Sequence, residues 1–533
     1  MELPAGMAPV QFNFAKDVVE RQAILTPGAL ASIGVRADGR VEHWTYADVV
    51  RASGRLAAAM LAAGLEQGDR VILFLPRTPV FQIAMTACMH IGVVPVPCVT
   101  QVTALELSYR AKQCGACGAI SGAAFVNLFD EVTDILVFRA VSGASSVAGW
   151  ADLEALLDAN VDAPSFAPMQ AETPALMYFT SGSSGLPKAV AHAARGVFVR
   201  GWQPWHQLGM RAGDLIWTSS DTGWTRAGSC LVFGPWMHGA TALIVENTLS
   251  VANRVATLEK FGVSFYAAVA TELRQIMSQS SRHPLPALRW TLSAGEAMTA
   301  ELAEGWRAFS GTPLVVGYGQ TETPTATLTD PDGPALNGMI GKPMVNNHLA
   351  IIDEAGNEAG VGQEGEIVFD AGDPGLLLGY WVDGKVVSSP RRGRWHLTGD
   401  AGYRDASGNL FFMGRSDDVI SSAGYRIGPT EVENALMLHP AVAECAVAAS
   451  PDSQRGEVVK AFVVLAPGHV AGPALAAELQ VHVKTVVAPY KYPRAVAFVE
   501  SLPRTVSGKI SRRLLRESEF FPSFPSQPVP TGA

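Results

Sequence analysis

Apolar positions recur with helical spacing across Tyr46–Leu65, and the turn Gly68-Asp69-Arg70 then leads into the continuous apolar run Val71–Leu75. The first pattern predicts an amphipathic helix and the second a short buried strand. The alternation of helix-type and strand-type runs returns through Pro174–Thr180, Leu231–Val245 and Phe265–Met277. Strands separated by helices build parallel sheets with helices on their faces. From about Asp353 the texture changes. Glu364–Asp370 and Asn409–Met413 are short apolar runs set between Gly- and Asp-rich turns, which predicts a β-rich region. After Arg415, the polar Ser416-Asp417-Asp418 leads into a compact stretch reaching about residue 520. There Pro429–Leu438 reads as a helix with proline at its start, and Lys460–Leu465 as a strand. The expected fold class is α/β. A large N-terminal domain, residues 1–416, combines helix-covered parallel sheets with a β-rich subdomain. A small α+β C-terminal domain follows over 417–520. The Pro-rich end, 521–533, is expected to be disordered.

Composition supports a folded, helix-and-sheet chain. Of 533 residues 48% are apolar and 17% charged, as in globular proteins. The net charge of −9 argues against a general nucleic-acid binder. The mean hydropathy is slightly positive, so a membrane segment has to be tested. The most apolar stretch, Val71–Cys98, is broken by Arg77, His90 and several prolines, and no transmembrane helix is expected. The N-terminus lacks a basic start followed by an apolar core, so a cytosolic (cytoplasmic) enzyme is the expectation. Six cysteines are too few for a disulfide scaffold. Cys114-Gly-Ala-Cys117 has redox or half-zinc-site spacing, but no second pair completes a metal site, and both read as small buried residues.

The first segment that carries chemistry is Met177-Tyr-Phe-Thr-Ser-Gly-Ser-Ser-Gly-Leu-Pro-Lys188. An apolar run enters a loop whose glycines, Gly182 and Gly185, let backbone N–H groups approach an anion without a Cβ clash. Hydroxyls of Thr180, Ser181, Ser183 and Ser184 can donate to phosphate oxygens, and Lys188 supplies a compact positive charge. The spacing is not that of a Walker A loop. Composition alone also fits a flexible Ser/Gly linker.

With this loop the sequence resembles the adenylate-forming superfamily of acyl-CoA synthetases, adenylation domains and luciferases. Further matching segments follow in order. Ser293-Ala-Gly-Glu296 is similar to the adenine-contact segment, and Tyr318-Gly-Gln-Thr-Glu-Thr323 to the nucleotide and metal motif. Thr398-Gly-Asp400 is similar to the ribose motif, Gly414-Arg415-Ser-Asp-Asp418 to the hinge, and Pro503-Arg-Thr-Val-Ser-Gly-Lys509 to the catalytic-lysine loop. Asp221-Thr-Gly-Trp224, Met413–Glu433, Arg455-Gly-Glu-Val-Val-Lys460 and Tyr490-Lys-Tyr-Pro-Arg494 resemble the medium-chain acyl-CoA synthetase branch. The resemblance runs from Phe12 to about Arg516.

It implies an ATP-dependent acid–thiol ligase that uses ATP, Mg2+ and coenzyme A on a small-molecule carboxylic acid. Adenine would lie between Tyr318 and the backbone of Gly295, Glu296 and Ala297, with Gly317, Gly319 and Gln320 adjoining. Asp400 could accept from both ribose hydroxyls, with Arg415 orienting them. Glu322 is the candidate Mg2+ ligand, Thr321 would bond the α-phosphate, and Arg426 is implied to contact phosphate. Lys509 would bridge the acid and the α-phosphate, where negative charge gathers in the transition state. Trp224 and Thr225 are the expected acyl-pocket residues, although ordinary core packing also fits Trp224. Acetate-specific relatives carry Trp at the position of Gly319, so glycine there is expected to open room for a larger acid, whether straight-chain, branched, alicyclic or aromatic.

The CoA step is implied to use Ala423, Gly424 and Tyr425 along the pantetheine tunnel, with Arg455, Lys484, Tyr492 and Arg494 as further contacts. Between Lys484 and Arg516 eight cations stand against one anion, Glu500, which suits a polyphosphate-facing surface. Lys509 and Gly424 serve different steps from one small domain. The resemblance resolves this by making that domain mobile about a hinge at Asp417. Relatives are switched off by acetylation of the lysine matching Lys509, which implies an acetyltransferase and a deacetylase as partners. Two other readings are a carrier-protein-loading adenylation enzyme and a non-catalytic acyl or nucleotide binder. Arg455 and Tyr490–Arg494 weigh against the first. Joint retention of Lys509, Glu322 and Asp400 weighs against the second.

Overall fold

The structure is a computed structural model. It describes residues 8–520 apart from 145, 181–186, 248, 279–281, 297, 423–424, 453–454 and 505–509.

The helix expected at Tyr46 forms as α1 (Tyr46–Ala62). Thr45 caps it, accepting from the Asp48 amide at 3.1 Å while the Asp48 carboxylate accepts from the Thr45 amide at 3.0 Å. The apolar run that follows becomes β1 (Arg70–Phe74), which pairs in parallel with Val94–Pro97 and Ala116–Gly122 in a five-stranded sheet. Between β1 and its neighbour lies α2 (Pro79–His90), in which every residue is buried. The most apolar stretch of the sequence is thus a strand, a core helix and a strand. Among the described residues no helix is long and apolar enough to cross a membrane.

Next come β2 (Pro174–Thr180) and β3 (Lys188–Ala193), antiparallel, with Thr180 opposite Lys188. Helix α3 (Ala194–Gln207) leaves β3 directly.

The main sheet has fourteen strands. Its parallel part begins with β4 (Leu215–Thr218), followed by the short helix α4 (Thr225–Gly228) and by β5 (Thr241–Val245). Then come β6 (Phe265–Ala267), helix α5 (Ala270–Met277), β7 (Trp290–Ala294) and β8 (Leu314–Tyr318). Strand β4 pairs with β5 on one side and β6 on the other, and β6, β7 and β8 follow in parallel. Chain order therefore reverses direction at β4. In such sheets ligands bind outside the carboxyl ends of the strands where the order switches. Beyond β8 the sheet turns antiparallel and runs into the β-rich region, where β9 (Gly365–Asp370), β10 (Trp395–Arg404) and β11 (Leu410–Arg415) form a ladder.

The C-terminal part has its own core. Helix α6 (Pro429–Met437) has proline in its first turn and packs on the hairpin β12 (Val442–Asp452) and β13 (Gly456–Leu465). Helix α7 (Pro473–Val486), strand β14 (Ala495–Phe498), which pairs in parallel with β13, and helix α8 (Arg512–Phe520) complete it. This is the expected small α+β unit beside a large α/β one.

Candidate active site

Strands β4, β6, β7 and β8 end side by side, so the segments that leave them converge. Those segments carry Asp221–Arg226, Thr271–Glu272, Gly295–Glu296 and Gly319–Thr323. Gly295 has φ +83°, a left-handed turn that favours glycine, and it reverses the chain at the end of β7. The Glu296 carboxylate accepts from the Thr271 amide and hydroxyl at 2.9 and 3.1 Å, which ties this turn to α5.

The ladder β10–β11 brings Asp400 and Arg415 opposite each other and aims both at the end of β8. Asp400 is 4% exposed. Its Oδ2 accepts from the Tyr318 hydroxyl at 2.7 Å and from Gln320 Nε2 at 2.6 Å. Its Oδ1 accepts from Arg415 Nη1 at 2.9 Å. Burial pushes the Asp400 carboxyl up, and Arg415 opposes this. Burial, then the Asp400 charge, push the Tyr318 phenol well above its ordinary range, so it stays a donor. Three side chains from two other sequence motifs thus meet at the Asp400 carboxylate. With Oδ2 taken twice, the spare accepting capacity of Asp400 lies on Oδ1. The Tyr318 ring is tilted 36° to Phe412 at 6.4 Å between centroids.

The segment after Tyr318 is held from below by Arg200 of α3. Its Nη2 donates to the Thr321 carbonyl at 2.7 Å, and the side chain is buried beside His192 of β3 and Tyr178 of β2. Burial lowers the guanidinium to about 10, with Tyr178 and Glu322 acting the other way, so it remains charged at neutral pH. The Tyr178 hydroxyl, His192 Nε2 and Arg200 Nε are buried without a hydrogen-bond partner among the described residues. Nothing in the sequence motifs pointed to this group. The only available sign was a charged residue inside the otherwise apolar Val197–Trp202 stretch.

Glu322 Oε1 accepts from the Tyr380 hydroxyl at 3.1 Å, and Lys188 Nζ lies 5.1 Å from the centre of the same Tyr380 ring. Tyr380 reaches this point because its strand, Gly379–Val382, pairs with β3. Lys188, at the end of the expected phosphate loop, and Glu322, the expected metal ligand, therefore share one aromatic residue, which sequence reasoning missed. Ser181, Gly182, Ser183, Ser184 and Gly185 lie outside the described residues, as do Ala297, Ala423, Gly424 and Lys509; so do the side chains of Tyr425 and Arg426. A Cβ built on Gly317 would stand 2.9 Å from Thr325 Cγ2. Among the described residues no three His, Cys, Asp or Glu side chains gather as a metal cluster. Glu322 keeps Oε2 free of the Tyr380 bond, which fits a Mg2+ completed mainly by phosphate oxygens.

Two family descriptions match this chain. That for AMP-binding enzyme covers residues 19–381, and that for the AMP-binding enzyme C-terminal domain covers 431–509. The chain belongs to the AMP-binding enzyme family. The human mitochondrial acyl-coenzyme A synthetase ACSM3 is 36% identical over 532 residues, covering 96% of this chain and 90% of that protein. A crystal structure of a Brucella canis acyl-CoA synthetase shares 31% identity, covers 98% of this chain and 96% of that one, and superposes with a TM-score of 0.73. The anthranilate CoA ligase AuaEII, solved with anthranoyl-AMP, shares 26% identity at a TM-score of 0.85, covering 96% of this chain and 98% of that one.

Within this AMP-binding enzyme, two sequence expectations need correction. A Cβ on Gly319 would stand 2.3 Å from the Pro324 carbonyl oxygen. The space beside that glycine is filled by the chain's own backbone, so the residue is demanded by the turn and does not by itself open a pocket. The eight cations counted between Lys484 and Arg516 are also largely neutralised by carboxylates from outside that window. Lys491 pairs with Glu431, Arg504 with Glu444, Arg512 with Glu433, Arg513 with Glu517 and Arg516 with Asp418. Lys484 and Arg494 stand apart from these pairs. Lys484 Nζ lies 3.9 Å and Arg494 Cζ 4.8 Å from the Tyr492 ring centre, and Arg494 Nη1 donates to the Tyr492 hydroxyl at 2.9 Å. The structure thus brings together Lys484, Tyr492 and Arg494. Arg455 sits exposed at the β12–β13 turn, its amide bonded to Asp452. Trp224 is half-buried against the core that contains Met177 and Phe179, and Thr225 opens α4. Asp417 is 3.8 Å from Arg415, and its carbonyl accepts from Arg516.

Proposed function

We propose that the carboxyl ends of β4, β6, β7 and β8, faced by β10–β11, form the adenylation centre of this enzyme. The observation that carries the proposal is the meeting of Tyr318, Gln320 and Arg415 on Asp400. The enzyme is an AMP-forming acid–thiol ligase using ATP, Mg2+ and CoA. In its first step a carboxylate oxygen of the acid bonds to the α-phosphorus, the bond to the bridging oxygen breaks, and pyrophosphate leaves. In its second, the CoA sulfur loses its proton and bonds to the acyl carbon, and AMP leaves with the C–O electron pair.

The resemblance, together with the geometry of the described residues, supports these site roles. Asp400 Oδ1 accepts from the ribose hydroxyls, Arg415, which donates to the same oxygen, orients them, and Tyr318 borders the adenine. Thr180 through Lys188 hold the β- and γ-phosphates, while Thr321 and Lys509 act at the α-phosphate. Glu322, whose Oε1 accepts from Tyr380, would hold Mg2+ through its second oxygen, and the ion would supply neutralisation of phosphate charge. Lys484, Tyr492, Arg494 and Arg455 face CoA after the small domain turns about Asp417. The acid is read as larger than acetate from the likeness to solved CoA ligases of aromatic acids, and not from Gly319. A likeness to an anthranilate CoA ligase supports an aromatic or similarly bulky acid. All six cysteines are free, as suits a reducing compartment, and we place the enzyme in the cytosol, whereas the human relative is mitochondrial.

The test is a panel from acetate to octanoate and benzoate. Acid-dependent pyrophosphate release without CoA is expected, with AMP and thioester once CoA is added. A highest kcat/KM for acetate would overturn the size assignment. Thioester formation only on a carrier protein would favour that class instead.

A further inference from the structure

Resting on the ligase reading, we propose that Arg226 binds a second anionic group on the acid, so that the substrate class is a carboxylic acid whose far end carries another carboxylate or a comparable oxygen anion. Arg226 follows Trp224 and Thr225 on α4. That helix begins where the loop leaving β4 ends, and β4 is the strand at which the sheet order reverses. The side chain therefore stands at the crevice where parallel sheets of this type take ligands.

The guanidinium is half-buried. It donates to the Ala294 carbonyl at the end of β7, and Nη2 lies 3.7 Å from where a Cβ on Gly295 would stand. That carbonyl is its one hydrogen-bond acceptor among the described residues. A guanidinium has five N–H donors in a planar fork that matches a carboxylate. Carboxylates on the neighbouring segments are already engaged. Asp221 accepts from the Thr100 hydroxyl at 2.6 Å and the Gly223 amide at 2.9 Å. Glu272 accepts from the Ser219 hydroxyl at 2.6 Å and the Tyr266 hydroxyl at 2.5 Å, and it pairs with Arg254 at 3.4 Å. Glu296 is held by Thr271. Other arginines of this sheet show the contrast: Arg289 pairs with Asp214 at 2.7 Å and Arg415 with Asp400 at 2.9 Å. A half-desolvated cation without a counter-charge is unfavourable, and an anion delivered by the ligand relieves it. Arg226 Nη2 also lies against Gly295, whose backbone is expected to border the uncharged adenine, whereas Lys188, Glu322 and Asp400, expected at the phosphates and ribose, make no hydrogen bond or ion pair with Arg226 among the described residues, which favours the acid over the ATP phosphates as the source of that anion.

The experiment compares matched acids in pyrophosphate release by the full-length enzyme: hexanoate against adipate, and benzoate against isophthalate. The wild type is expected to prefer the diacid of at least one pair by about 10- to 100-fold in kcat/KM, the range of a hydrogen bond to a charged group. Arg226→Met should collapse that ratio to one or below, and Arg226→Lys should retain part of it. Preference for the monoacid in both pairs overturns the proposal and leaves the ligase reading standing. So does a ratio unchanged in Arg226→Met, which assigns the arginine to folding or to ATP. Absence of pyrophosphate release with these four acids and with the wider panel overturns the ligase reading and this proposal together.

Discussion

Arg200 donates to the backbone carbonyl of Thr321 across 121 residues of sequence, from a helix that leaves the phosphate-loop hairpin to the segment that carries Glu322. A buried cation thus couples two motifs that read as independent in the sequence. Hydrogen bonds to charged groups contribute about 1.5–3 kcal/mol. Arg200→Met should therefore lower kcat for pyrophosphate release by about 10- to 100-fold. Arg200→Lys should recover part of the loss. Equal rates for Arg200→Met and wild type at matched folded fraction would show that the Thr321–Glu322 segment holds its place without it.

Asp400→Asn removes the charge on which Tyr318, Gln320 and Arg415 converge, and it takes from Arg415 the nearer of its two carboxylate partners, leaving Asp417 at 3.8 Å. The expected outcome is a rise in KM for ATP of about tenfold or more, equivalent to about 1.4 kcal/mol. Steady-state pyrophosphate release at varied ATP checks it. A change confined to KM for the acid would contradict the ribose role.

Lys484 and Arg494 share Tyr492 and carry no carboxylate partner among the described residues, unlike Arg513, which pairs with Glu517. Lys484→Gln and Arg494→Gln are each expected to raise KM for CoA about 3- to 10-fold, a loss of order 1 kcal/mol. Arg513→Gln should stay within about twofold, as exposed helix pairs contribute little. The effect should be confined to thioester formation, read as AMP release at varied CoA.

Lys509→Ala should abolish acyl-adenylate formation yet spare thioester formation from supplied acyl-adenylate. Stoichiometric acetylation of Lys509 removes the same charge and should reproduce that split. Equal loss of both half-reactions would defeat the assignment of Lys509 to the first step alone.

Stability should fall in mild acid. Burial holds His238 and His396 at about 4, below the ordinary 6.5. The unfolded chain therefore takes up more protons than the folded one between those values, so stability is full above pH 6.5 and is lost as the pH falls toward 4. Each group can contribute up to roughly 3 kcal/mol over that window. Urea titrations at pH 7.5 and 5 should show a lower midpoint at pH 5, and His238→Gln should shrink the difference.

The elements with local signals were legible in the sequence. Helix α1 repeats apolar residues at helical spacing, α6 starts at a proline, and β1 is a short apolar run after a turn. The meeting of Asp400 with Arg415 was legible because both lie in short motifs on one hairpin ladder. Arg200 and Tyr380 were not, because their partners lie 121 and 58 residues away and no spacing rule links them. The basic C-terminal window was misjudged for a related reason. Glu431, Glu433, Glu444 and Asp418 lie outside it in sequence and fold back onto it. Gly319 was read as an opening because a missing side chain suggests space. The return of the backbone at Pro324 fills that space.

Helix α2, buried along its whole length, has a consequence for biosynthesis. Its Gln82 donates to the Leu231 carbonyl, a partner 149 residues further on, and its core extends to Phe233, Trp236 and Met237. At about 5–20 residues per second the ribosome needs roughly 7–30 s to deliver that partner. For that interval the nascent chain carries an apolar helix with part of its cover still unmade. Production of this enzyme should therefore depend on chaperone supply more than its final stability would indicate.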